Sequence, residues 1–123
     1  MTSISINKEI YNILNTDETI KNIVGNRLFP LIAEENTSFP FIIYRKDAVT
    51  PQYSKDGKSM DIVDFHITCI SNEYAHTVDL CERVRELFER RRDDYFKHVE
   101  VTSITEDFSD DAYIHDIHFA AKT

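Results

Sequence analysis

The chain has 123 residues, of which 41% are hydrophobic and 29% charged. That balance excludes extended disorder and fits one domain over residues 1–123 with a core of its own. Lys and Arg number 14 against 22 Asp and Glu, a net charge of −8, which disfavours nucleic-acid phosphates and anionic membrane surfaces as partners.

Only 2 Gly and 3 Pro occur, so no glycine-rich phosphate cradle is present. The N-terminal residues lack a basic start and a long apolar run, and no stretch approaches the roughly 20 apolar residues that cross a bilayer, so neither a signal peptide nor a membrane helix is expected. Cys69 lies in an alternating apolar run and Cys81 on a helical apolar stripe. Both are expected to be buried thiols rather than a disulfide.

Ile6, Ile10, Ile13 and Leu14 recur on one face of a 3.6-residue period and predict a first helix. Asp17 and Glu18 favour the start of a second, short helix with Ile20, Ile23 and Val24 inward, and Gly25 suits its left-handed end. Arg27–Ile32 reads as a short strand, Ala33–Phe39 as polar loop, and Phe41–Ala48 as a strand apolar on both faces. Asp47–Ser59 is polar, carries the turn pair Asp56-Gly57, and predicts a long hairpin with a mobile tip. Met60–Ile70 alternates, with Val63, Phe65, Ile67 and Cys69 on one side and Asp64, His66 and Thr68 on the other.

Ser71 or Asn72 is placed to cap the main helix, whose stripe is Tyr74, Val78, Cys81, Val84 and Phe88, widened by Leu80 and Leu87. Glu86 and Arg90 stand four residues apart, and Arg90, Arg91 and Arg92 suit the negative helix end. Two strands, Phe96–Ile104 and Tyr113–Ala121, follow, joined by the acidic segment Glu106–Asp111. Strands grouped around one long helix imply an α+β fold: an antiparallel sheet of four to five strands, with the long helix and the short N-terminal helices packed on one face.

The residues that could carry chemistry are few. Asp64-Phe65-His66 and Asp116-Ile117-His118 each place a carboxylate and an imidazole on one strand face, with His115 on the opposite face. Brought into register, Asp64, His66, Asp116 and His118 could serve a small metal-dependent enzyme. The same spacing arises readily in half-buried strands, so the expectation is a polar face, no metal and no cofactor. No Gly-x-Ser-x-Gly elbow occurs. Cys69 and Cys81 look too buried for nucleophilic work. The acids Glu106, Asp107, Asp110 and Asp111 lack the spacing and turn glycine of a calcium loop. Glu86, Glu89, Asp93 and Asp94 neutralise the arginine run. No catalytic residues are expected.

A more specific pattern is the segment Ile23-Val24-Gly25-Asn26-Arg27-Leu28-Phe29-Pro30, followed by a polar loop closed by Phe39-Pro40-Phe41-Ile42-Ile43-Tyr44. Further on come Asp61–Ile67, Tyr74-Ala75-His76 and the helix Leu80–Leu87. From about Ile6 to Arg90 the chain resembles the tail-completion proteins of long-tailed bacteriophages and prophages, also described as tail-to-head joining or tail-terminator proteins. The resemblance implies a structural virion protein, not an enzyme, that assembles as a ring, usually a hexamer. That ring caps the head-proximal end of the tail tube. Its partners would be its own copies, the tail-tube protein and the head–neck connector. It would be made in the bacterial host cytoplasm and end in the tail or neck of the virion. A neighbouring neck or tail-accessory role is the alternative. The hairpin would supply the contacts, through Val49, Pro51, Gln52, Tyr53, Asp56 and Lys58, with Ala33–Phe39 as a second surface.

Overall fold

A computed structural model describes residues 3–57 and 59–123. A turn of 3-10 helix leads into α1 (Ile6–Thr16) and α2 (Glu18–Val24). Then follow β1 (Leu28–Pro30), β2 (Phe41–Tyr53), β3 (Ser59–Ser71), α3 (Tyr74–Phe88), β4 (His98–Ser109) and β5 (Ala112–Lys122).

The helices form where the stripes fall. Ile6, Ile10, Ile13 and Leu14 are all buried along α1. Asp17 leaves the helical region at ψ 119, which separates α1 from α2, and its carboxylate accepts from the Ile20 N–H at 3.1 Å to cap α2. Gly25, at φ 62, ends α2 with its N–H on the Lys21 carbonyl at 2.8 Å.

Asp17 also ties α2 to α3. Arg83 grips it with two parallel bonds, Nη2 to Oδ1 at 2.6 Å and Nε to Oδ2 at 3.1 Å. Those bonds hold the Asp17 carboxyl below the usual carboxylate range, against the opposing pull of burial, and the Ile20 N–H adds to the effect. Arg83 also pairs with Glu86 at 3.0 Å and Arg85 with Glu89 at 2.9 Å. Arg90 lies beyond the helix at φ 60, so the expected Glu86–Arg90 pairing gives way to these.

The five strands form one sheet in the order β1-β2-β3-β5-β4. The fold is α+β as expected, but the sheet is mixed: β1 runs parallel to β2, and all other neighbours are antiparallel. Alternation sets its two faces. Val63, Phe65, Ile67 and Cys69 of β3, and Ile117, Phe119 and Ala121 of β5, are buried against the helices. Phe65 stacks on Phe119 at 5.0 Å and meets Phe88 of α3 edge-on at 5.8 Å. Phe96 closes the cluster, 6.4 Å from both Phe65 and Phe88. Cys69 and Cys81 are free and buried.

The long hairpin expected over Asp47–Ser59 is present, and both it and the acidic segment Glu106–Asp111 are more strand than expected. β2 and β3 stay paired from Phe41↔Ile70 out to Tyr53↔Ser59, so most of Asp47–Ser59 belongs to the ladder. β4 likewise runs to Ser109, and only Asp110-Asp111 turns, at φ 52 and 61. Two successive left-handed residues make the turn type that suits a two-residue hairpin.

Candidate assembly surfaces and side-chain clusters

The β2–β3 hairpin leaves the core after Val49. Val49 is half-buried against the core cluster and pairs with Val63. From Thr50 to Gly57 every residue is exposed, and Tyr53 is 82% exposed. Pro51, opposite Asp61, is tolerated because β1 pairs β2 only as far as Tyr44 and leaves the rest of β2 an edge. Gln52 pairs with Met60. The tip is closed by the Ser54 hydroxyl on the Asp56 carboxylate and by the Gly57 N–H on the Ser54 carbonyl at 3.2 Å. Gly57 takes φ 81, the left-handed geometry expected after Asp56. Lys58 lies outside the described residues.

The apolar residues Leu31 (55% exposed) and Ile32 (77% exposed) follow β1 and lie just before the Ala33–Phe39 segment. Edge strand β4 exposes Ile104 and Phe108. These four residues were not singled out from the sequence. Their signal is an apolar side chain on a short or edge strand with no layer above it.

The four strand residues with metal-ligand chemistry do not converge. His66 pairs directly with His118, but Asp64 lies opposite Ala120 and Asp116 opposite Thr68, on either side of the histidine pair. The two imidazoles stack at 4.8 Å. Asp116 receives the Thr68 hydroxyl at 2.8 Å and has Oδ2 3.5 Å from Nε2 of His118. The partner of His66 is Asp47, Oδ2 to Nδ1 at 2.8 Å, which no spacing rule indicated. Asp47 is the extra residue of a β-bulge between Lys46 and Ala48.

His115 is buried on the opposite face, as its parity predicts. Its Nε2 lies 2.9 Å from Glu106, whose carboxylate also accepts the Tyr74 hydroxyl at 2.5 Å. That bond pushes the Tyr74 phenol above its ordinary value. Glu106 is thus engaged by α3 and β5, not gathered with Asp110 and Asp111. The arginine run is held locally: Arg91 bonds Asp93 at 2.7 Å and Arg92 bonds the Lys97 carbonyl at 3.2 Å. Burial pushes the Cys69 thiol well up, and Cys81 is raised by the same cause, the reverse of what a nucleophile needs.

No curated protein sequence matches this chain. Among solved structures, one titled "Virion of native gene transfer agent (GTA) particle" is similar at TM-score 0.77 and 16% identity, over 92% of this chain and 90% of that one. A second solved protein is similar at TM-score 0.60 and 10% identity, over 100% of this chain and 97% of that one. Both likenesses are of fold. Residues 8–122 match the family described as "Tail completion protein gp17". The chain therefore belongs to the tail completion protein gp17 family, structural proteins of phage tails.

Proposed function

We propose that this chain assembles as a hexameric ring that caps the head-proximal end of a phage tail tube and joins tail to head. The tail-tube protein and the head–neck connector would be its partners. The observation that carries this reading is the β2–β3 arm: Thr50 to Gly57 projects past the core and is exposed throughout. An arm exposed along its length is suited to a neighbour. A ring needs two different faces that fit each other. The arm is one, and the long edge β4, which offers unpaired backbone groups beside Ile104 and Phe108, is the other. The unequal edges favour such a contact, since β1 is only 3 residues long.

The net charge of −8 opposes self-association, and salt screens that repulsion. Native mass spectrometry and light scattering should find monomers in dilute, low-salt solution and hexamers as concentration and salt rise. Negative-stain microscopy should find rings on isolated tails. A strict monomer under all conditions, with no ring on tails, overturns the reading.

A further inference from the structure

We infer that Asp47, His66 and His118 form a binding site for one divalent transition-metal ion on the open face of the sheet. Their ligand atoms all lie within 4.8 Å of one another. In a tetrahedral site with bonds of about 2.0–2.1 Å, neighbouring donor atoms stand about 3.3 Å apart. The Asp47–His66 contact of 2.8 Å is already shorter than that, so an ion enters between them by small side-chain rotations. On entry the Nδ1–H proton of His66 moves to the other ring nitrogen, and water fills the remaining positions.

The backbone is shaped around this trio. His66 and His118 are direct cross-strand partners, flanked in the same row by Arg45 on β2 and Ser103 on β4. Each strand flanking the pair carries a β-bulge nearby, between Val101 and Ser103 next to the His118 row and between Lys46 and Ala48 one row further on. Bulges re-aim side chains, and the second presents Asp47 to His66. Behind the histidines the sheet is packed, because the next pair on the core face is Phe65 on Phe119. Asp116, fixed by Thr68, stands beside His118 as an outer carboxylate of the kind that orients metal-bound imidazoles.

Two imidazoles and one carboxylate suit Zn²⁺, Co²⁺ or Ni²⁺. Mg²⁺ and Ca²⁺ prefer all-oxygen shells. This site departs from the expectation of a metal-free chain, which rests on Asp64, His66, Asp116 and His118: His66 and His118 do meet, but Asp47 joins them where Asp64 does not. The trio shares only the two histidines with that set.

The test is titration of tag-free protein with Co²⁺, followed by displacement with Zn²⁺ and a parallel titration with Mg²⁺. The expected result is one Co²⁺ per chain with a visible absorption band, loss of the band on adding Zn²⁺, a Zn²⁺-dependent rise in melting temperature, and no response to Mg²⁺. His66→Ala and His118→Ala should each weaken binding by more than about 100-fold, beyond the loss typical of an outer partner. Asp47→Asn should weaken it by at least about tenfold, while Asp64→Asn leaves it unchanged. Circular dichroism checks that each variant folds, and His118→Gln serves if His118→Ala does not. No Co²⁺ uptake at millimolar concentration overturns the site, as does uptake that survives loss of both histidines. An Asp47→Asn protein that binds like the parent overturns the carboxylate's role.

Discussion

The guanidinium Nε of Arg27 donates to the carbonyl of Pro40 at 2.8 Å, across the loop that separates the two halves of the chain's most specific motif. Arg27 thereby sits at the junction where β1 joins β2. The Ile42 N–H donates to the Arg27 carbonyl at 3.0 Å, and the pairing continues through Leu28↔Ile42, Phe29↔Ile43 and Pro30↔Tyr44. The spacing of the motif is thus the geometry of one parallel strand pair. Arg27→Ala should cost about 1.5–3 kcal/mol in urea denaturation, the range for losing a hydrogen bond from a charged group. Arg27→Lys should recover little, because an ammonium lacks the Nε donor. Unchanged stability in Arg27→Ala would show that the loop closes without it.

Phe88 is fully buried between Phe65, Phe96 and Phe119. Phe88→Ala should cost about 3–5 kcal/mol by chemical denaturation. A loss below about 1 kcal/mol would mean that the cluster collapses into the gap.

Asp17 gives the chain an acid limit. Its carboxyl is held below the ordinary value of 3.8 by Arg83 and the Ile20 N–H. The folded state therefore prefers the ionised form. The stability this lends is complete above that ordinary value and is lost as pH falls below it through the folded value. Asp17→Asn should melt earlier than the parent near neutral pH, and the gap should narrow in acid below about 4. A gap that stays constant with pH would assign the effect to packing.

The hairpin arm separates stability from assembly. Tyr53→Ala and Gln52→Ala should change unfolding free energy by less than about 0.5 kcal/mol, as for other exposed sites. Under the ring proposal both should reduce hexamer formation and completed tails in a complementation assay. Full infectivity from the double variant would remove the arm from assembly.

Cys69 and Cys81 should be inert to a thiol-specific reagent in the folded protein and both titrate in urea. Burial raises both thiols and shields them. Rapid reaction of either in native buffer would indicate local opening of α3 against the sheet.

The apolar periods carried most of the fold. The stripe Ile6, Ile10, Ile13, Leu14 and the alternation Val63, Phe65, Ile67, Cys69 are decided by burial, and burial leaves a pattern in sequence. The outer half of β2 and the end of β4 left none. Thr50 to Tyr53 and Asp107 to Ser109 are held by backbone ladder bonds beyond the core, where side-chain polarity is free to vary. Asp110-Asp111 turns without glycine, so its hairpin was hidden as well. At the metal-ligand cluster, strand parity identified His66 and His118 as sharing a face. Which carboxylate joins them depends on a bulge, and a bulge is one extra residue in the pairing of two strands, which leaves no period in the sequence.

The pairing of β2 with β3, continuous to the tip beyond the bulge at Asp47, makes the arm a cantilever. Its free strand, Thr50 to Tyr53, spans about 14 Å at about 3.4 Å per residue, anchored where Val49 pairs with Val63 and free at Tyr53. A load on the tip is carried by interstrand hydrogen bonds past the Asp47 bulge into the row that holds Phe65 and Phe119. Seating the tip would therefore register as a tilt of the whole sheet against α3.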